Sequence, residues 1–382
     1  MNSSDNLRIS WLLPVAWFYW HPILSEFTQL FPQTTVFTGL WPGFAQGYED
    51  SFAVEEVGKM KFIEASQTST GYGSGFTYLS LNIITKLLQF KPDVIIADSF
   101  RIWSLLALLL KPLGKWRVIL AYEGSSPSVD YRDSALRLSL RRAMVKAADA
   151  CITNSQAGKN YFTSVLRAEE SRVFARPYEV PDSKALLGNV KESDASVAEL
   201  AQLVFLFVGH LVPRKGILVL LKACAILQSQ GCHNYTILVA GDGSQREELE
   251  AFSQSHNLEE RVQWLGRVDY DRLGAYFRQA DVFVLPTLED TWGMVVLEAM
   301  LFGKPILCSK GAGTAEMIVD GENGYVFDPA QPEKLAELMR WFMNNLALID
   351  NMGEKSKQIM ASHSPELASK SLASVVKLVL DK

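Results

Sequence analysis

What most constrains this chain is a rhythm: short apolar runs alternate with longer segments whose apolar residues recur at helical spacing, and this continues from one half to the other. Such an alternation reads as a parallel sheet covered by helices. Strands are expected at 8–13, 93–97, 117–121, 150–153 and 172–174, with helices near 76–90, 134–148 and 155–166. The second half repeats the pattern with strands at 203–208, 236–240, 262–264, 282–285 and 305–308, several of them continuous apolar runs of the kind buried on both faces. A length of 382 residues leaves room for two such domains. The stretch 176–200, with two prolines, mixed charge and no strand pattern, reads as a linker with a short helix. The expected fold class is therefore α/β: two doubly wound, Rossmann-like domains, 1–179 and 180–364, facing each other across a cleft. In open sheets of this kind ligands sit beyond the carboxyl ends of the strands, so the loops that follow the strands are where chemistry is sought.

Composition removes several function classes. Apolar residues make up 48% and charged residues 21%, which suits packed cores and not disorder. A net charge of -5 argues against nucleic acid as the main partner. The four cysteines, Cys151, Cys224, Cys232 and Cys308, include no C-x2-C pair and read as free thiols, with neither disulfides nor structural zinc expected. The longest apolar stretch, 102–110, is too short to cross a bilayer, and the polar start lacks a signal-peptide core; a cytoplasmic location is expected, with peripheral contact at the inner face of a membrane left open. That opening comes from segment 101–146, which holds nine basic residues against three acidic ones. Within it, helix 134–148 places Leu136, Leu140, Ala143 and Ala147 on one stripe, with Arg137, Arg141, Arg142 and Lys146 around the rest. It reads either as a core-packed helix with a solvated basic face or as a contact for anionic lipid.

Chemistry-bearing residues concentrate after the strands of the second half. The run FLFVGHLVPRKG places Gly209, His210, Arg214, Lys215 and Gly216 before a helix, where helix dipole and side-chain charge suit an anion. In GDGSQREEL, Asp242 or Ser244 is expected to cap the next helix. In VFVLPTLEDTWGMVVLEAM, Asp290 ends a loop and Glu298 follows eight positions later, with Trp292, Gly293 and Met294 at the turn between them. Carboxylates bracketing a helix start suit a ligand that carries both phosphates and hydroxyls. Gly311 and Gly313 are followed by Glu316, where a dinucleotide fingerprint needs a small residue, so they read as a tight loop against a bound ligand. Asp269 and Asp271 spell D-x-D but are expected to open a helix and not to bind metal. In the first half, Trp17, Phe18, Tyr19 and Trp20 are consecutive and followed by His21. They form either a stacking platform for an acceptor or packing between helices, and His21 either contacts an acceptor hydroxyl or is a satisfied structural histidine.

In their order, VGHLVPRKG, GDGSQREEL, WLGRV, DVFVLPTLEDTWGMVVLEAM, GKPIL and GAGTAEMIVDGENGYVF resemble the second domain of the retaining, nucleotide-sugar-dependent glycosyltransferases of family 4, which have the GT-B architecture. PDVIIADS, AYEGSSPSVDYRD and AADACITNS carry a looser likeness in the first half. The resemblance implies transfer of a hexosyl unit from a nucleoside-diphosphate sugar, with UDP expected, to a hydroxyl acceptor such as a glycolipid, a polysaccharide precursor or a small metabolite. It implies that Lys215, with Arg214, binds the leaving diphosphate, that Asp290 binds donor-sugar hydroxyls and that Glu298 binds the ribose. Gly209 and His210, together with the backbone of Trp292, Gly293 and Met294, would line the donor; Arg267 and Val268 lie where the base is held. Three positions depart from the family's commoner residues: His210 for Arg, Asp290 for Glu, and Glu123 where many relatives have His near the reacting sugar. Acceptor-side residues are expected at Trp17, Tyr19, Trp20 and His21. The resemblance further implies front-face transfer, no cofactor besides the co-substrate, activity that persists in EDTA, and a C-terminal helix, 365–382, crossing back onto the first domain. The alternatives are a GT-B nucleotide-sugar epimerase or hydrolase, or an inactive nucleotide-sugar-binding subunit.

Overall fold

The computed structural model describes residues 6–67, 73–188 and 203–381. They fall into two compact units: the described residues up to Val180 together with those from His363 onward, and Pro181–Ser362.

The first unit is built on a seven-stranded parallel sheet. In chain order it holds β1 (Arg8–Val15), β2 (Gln33–Leu40) and β3 (Ala53–Glu56). After a separate antiparallel hairpin of β4 (Lys61–Gln67) and β5 (Gly73–Tyr78) come β6 (Val94–Asp98), β7 (Arg117–Tyr122), β8 (Ala150–Thr153) and β9 (Val173–Ala175). The sheet order is β3-β2-β1-β6-β7-β8-β9. β1 is central, with Ile9 opposite Thr34 on one side and Val94 on the other, which is why its residues from Ile9 to Pro14 are all buried. One face carries a core in which Trp11 of β1 meets Ile23 and Phe27 from helix His21–Leu30 and Leu372 and Val376 from helix Pro365–Leu380. The opposite face buries Leu12, Phe37, Trp103, Trp116 and Met144. Helix Pro365–Leu380 begins at Ser364, whose Oγ accepts the Leu367 N–H at 3.3 Å, and Ser369 Oγ donates to the Ile23 carbonyl at 3.1 Å.

The five strands expected here are present. β2, β3 and the hairpin were not foreseen, and β5 occupies the start of the helix expected at 76–90, which is confined to Ile83–Phe90. The run GSGFTY contains no strong helix former and pairs along β4 instead. The helix expected at 155–166 is α-helical only over Gln156–Asn160 and then widens into a π turn, Tyr161–Val165.

The second unit has a six-stranded parallel sheet: β10 (Val204–Val208), β11 (Thr236–Ala240), β12 (Val262–Gly266), β13 (Val282–Leu285), β14 (Ile306–Ser309) and β15 (Gly324–Phe327). The order β12-β11-β10-β13-β14-β15 is that of a Rossmann sheet, and chain direction across it reverses between β10 and β13. The loops after those two strands, 209–216 and 286–293, therefore open at the switch point. β15 was not foreseen; it is four residues long, opens with a glycine, and pairs Val326 with Cys308. Of the linker read at 176–200, Ser183–Gly188 is the short helix and residues 189–200 lie outside the described residues. Lys382 lies outside them as well.

All four cysteines are free thiols. Among the described residues no helix is long and apolar enough to cross a membrane, and no group of three His, Cys, Asp or Glu side chains is placed to hold a metal ion.

Candidate active site

In the second unit, the turn after β10 and the loop after β13 are laced together through their main chains. The Arg214 carbonyl accepts the Leu288 N–H at 2.7 Å and the Thr287 hydroxyl at 2.7 Å. This contact needs a glycine two positions on, because Gly216 has φ +68° and a Cβ there would lie 2.0 Å from the Pro286 carbonyl oxygen. The lacing brings Lys215 and Asp290, 75 positions apart, into a direct ion pair between Lys215 Nζ and Asp290 Oδ2. Arg214 Nη1 lies 3.8 Å from the same oxygen. All three side chains are largely buried, so the charges are only weakly screened.

Asp290 is also held through its backbone. Its N–H donates to the Gly311 carbonyl at 2.9 Å, and its carbonyl accepts the Gly313 N–H at 3.2 Å. The two glycines make the tight loop expected of them and let 310–313 press on 287–292, since a Cβ at Gly311 would meet Leu288 O at 2.5 Å and one at Gly313 would meet Thr291 O at 2.4 Å.

Helix Met294–Leu301 starts at Gly293, and the first amides of its opening turn have no acceptor within the helix. Trp292 is 2% exposed and belongs to the core, so its ring is committed to packing. His210 is exposed just beyond Gly209 at the end of β10; Arg267 is exposed after β12, and Val268 is half-buried against the core.

Glu298 lies on the same helix and is 7% exposed. Burial pushes its carboxyl up to about 7, partly offset by the hydroxyl of Tyr270, which donates to it. Tyr270, whose own phenol burial and the Glu298 charge hold well above its ordinary value, was not anticipated as a site residue. Its only sequence signal is its place inside D-Y-D, two positions after Val268. There, Asp269 takes the N-cap position of helix Tyr270–Gln279 without a side-chain cap bond. Asp242 and Ser244 do not cap the helix after β11: its N-cap is Gln245, and the Asp242 carboxylate accepts the Gly243 N–H at 2.8 Å.

The raised Glu298 carboxyl carries a sign for stability. An unfolded Glu loses its proton near pH 4.5, whereas the folded one keeps it to about 7, so folding grows less favourable as pH rises through that window. Glu298→Gln removes this dependence. Its melting temperature should gain on that of the parent as pH goes from about 5 to about 8; a constant offset across that range would contradict the assignment.

In the first unit, a cavity of about 270 Å³ opens beside the ends of β1, β6 and β7, lined in part by Trp17, Tyr19, Trp20, Asp98, Arg101 and Glu123. Three of the four expected acceptor-side residues thus meet there, together with Glu123. His21 does not. It is fully buried among Trp41, Phe44, Tyr48 and Phe52, its Nδ1 accepting the Ala45 N–H at 3.0 Å, and it serves as the polar centre of an aromatic cluster.

The basic helix, Ala135–Ala147, turns a different face inward from the one expected. Leu138, Met144 and Val145 are buried, while Leu136, Leu140, Ala143 and Ala147 are exposed. Arg141 explains the inversion: its guanidinium lies 4.7 Å from the Phe100 ring centre and 5.1 Å from that of Tyr131, and it donates to the Tyr161 hydroxyl at 2.8 Å. A charge read as solvated is an inward anchor.

Comparison with known proteins agrees with this architecture. Residues 190–359 match the family model described as glycosyl transferases group 1. An uncharacterized glycosyltransferase of Methanocaldococcus jannaschii is 30% identical over 161 residues, 42% of this chain and 44% of that one. The D-inositol 3-phosphate glycosyltransferase of Streptomyces avermitilis is 26% identical over 253 residues, 60% of this chain and 51% of that one. The matches thus span about half the length of these relatives or less. The Anabaena HepE structure solved in complex with UDP superposes with a TM-score of 0.74 at 19% identity, covering 97% of this chain and 100% of that one. Residues 190–359 are thus similar to glycosyl transferases group 1, and the fold is that of two Rossmann-like domains of GT-B type.

Proposed function

We propose that this protein is a retaining glycosyltransferase that moves a hexosyl unit from a nucleoside-diphosphate sugar, with UDP as the nucleotide, to a hydroxyl acceptor. The observation that carries this reading is the pairing of Lys215 and Arg214 with Asp290 at the switch point of the second sheet. Two cations and a carboxylate converge where a helix also presents its first amides. A diphosphate needs the cations and the amides, a sugar hydroxyl the carboxylate. The likeness to a fold solved with UDP supports the choice of nucleotide.

In this mechanism the bond between the sugar's anomeric carbon and the diphosphate oxygen breaks, and its electron pair leaves with the diphosphate. Lys215, Arg214 and the helix start at Gly293 stabilise the charge that develops there. Asp290 accepts hydrogen bonds from the sugar hydroxyls. The acceptor oxygen bonds the anomeric carbon on the face the diphosphate leaves, and its proton passes to the departing phosphate oxygen. Glu298, held by Tyr270, receives the ribose hydroxyls; Arg267 and Val268 flank the base, and Gly209, His210 and Met294 border the phosphates. With these groups supplying the positive field, transfer proceeds in EDTA.

The test is a thermal-shift series with UDP-, GDP- and ADP-sugars on the parent protein, Lys215→Ala and Glu298→Ala. The expected result is a shift selective for the UDP-sugar and lost in both variants. No shift with any donor, or one that survives both substitutions, would overturn the reading.

A further inference from the structure

The cavity in the first unit says something about the acceptor, and the inference rests on the transferase reading above. Its position is the first sheet's own switch point, between β1 and β6, so it is where that unit is built to take a ligand. Its walls have two unlike properties.

One is aromatic. Trp20 is 3% exposed and stacks on Tyr178, with ring centres 5.7 Å apart and planes at 18°, which anchors the turn Phe18–Trp20. Its neighbours Trp17 and Tyr19 remain 40% and 36% exposed beside the cavity. Two rigid aromatic rings left open on a firmly anchored turn suit the C–H face of a sugar ring, which covers apolar surface while its hydroxyls stay free to bond.

The other is negative. Among the described residues Asp98 and Glu123 line the cavity against a single cation, Arg101, whose Nε already lies 3.0 Å from Asp98 Oδ2. Buried Glu179 adds to the same field: after burial, the charges of Glu123, Glu179 and Asp98 are what hold the Tyr19 hydroxyl protonated far above its ordinary range. Asp98 in turn raises Arg101, fixing that charge in place. Carboxylates accept from hydroxyls and ammonium groups, and repel phosphate, which brings up to two negative charges.

We infer that the acceptor group received in this cavity is a sugar ring bearing neither phosphate nor carboxylate, stacked on Trp17 and Tyr19 and hydrogen-bonded through its hydroxyls or an amine to Asp98 and Glu123. The cavity excludes anionic sugars by charge. An acceptor that carries phosphate elsewhere must present an uncharged or amine-bearing ring to this site.

The test uses the full chain with and without UDP, and ligand-observed saturation-transfer NMR with methyl glucoside, glucosamine, glucose 6-phosphate and glucuronate as probes. Donor binding is followed in parallel by thermal shift. Methyl glucoside and glucosamine should bind at least about tenfold more tightly than the two anionic sugars. Trp17→Ala should weaken both favoured probes. The near-isosteric Glu123→Gln should narrow the gap between glucosamine and glucose 6-phosphate. Anionic sugars binding as well as neutral ones, no binding of any probe, or a selectivity indifferent to Glu123→Gln would each overturn the inference. If donor binds but the selectivity is absent, the acceptor assignment fails and the transferase reading stands. If the selectivity is present without donor binding, the cavity assignment stands and the transferase reading fails.

Discussion

Lys215→Ala is expected to lower the turnover of sugar transfer by about 10²–10³-fold, the range seen when one preorganised donor to a developing oxyanion is removed. The ammonium meets Asp290 directly, while Arg214 stands 3.8 Å from the same oxygen, so the variant keeps one cation beside Asp290 and is expected to retain residual activity. Lys215→Arg should recover only part of the loss, since a planar fork does not reproduce a compact ammonium. The substitution also leaves Asp290 largely buried with its nearer partner gone, which lowers stability. Turnover and KM should therefore be measured well below the melting temperature, with the fold checked by circular dichroism. A loss of less than about fivefold in a folded variant would remove Lys215 from the charge-stabilising role.

Gly216→Ala should destabilise the protein by about 2–4 kcal/mol, combining left-handed backbone strain with a steric clash. The design separates the two contributions. Gly231 has nearly the same backbone angle, φ +71°, but a Cβ there meets nothing within 4 Å, whereas at Gly216 it would strike the Pro286 carbonyl. Gly231→Ala should thus cost only about 1 kcal/mol, and the difference between the two variants measures the close approach of the loops. Gly216→Ala should also depress turnover in whatever fraction stays folded, because separating the loops moves Lys215 away from Asp290. Equal melting temperatures for the two variants would show that the loops tolerate being spread.

Much of the second unit could be read directly. VFLFV and VFVL are continuous apolar runs with no polar face, which a strand buried on both sides accommodates. The acids and cations following those runs were legible for the same reason: strand ends fix where loops open. What escaped was whatever depended on a partner distant in sequence. The Tyr270 hydroxyl on Glu298 joins residues 28 positions apart and leaves no periodic trace. β2 and β3 read poorly because QTTVFTGL and AVEE mix polar residues into strands toward the sheet edge. The face of helix Ala135–Ala147 was assigned from hydrophobicity alone, which gives Arg141 the wrong sign once aromatic rings surround it. His21 was placed by its neighbours in the chain, Tyr19 and Trp20, although the ring points into the cluster formed by 41–52.

The backbone clamp on Asp290 has a consequence for sugar choice. An acid on a free loop would follow the hydroxyl it is offered, accepting epimers nearly alike. Here both main-chain groups of Asp290 are tied to 311–313, and the neighbouring strand β14 runs into that segment. On the proposed function, in which Asp290 receives the donor-sugar hydroxyls, the carboxylate is a fixed stereochemical gauge, and a donor whose hydroxyl points the other way leaves it unmatched.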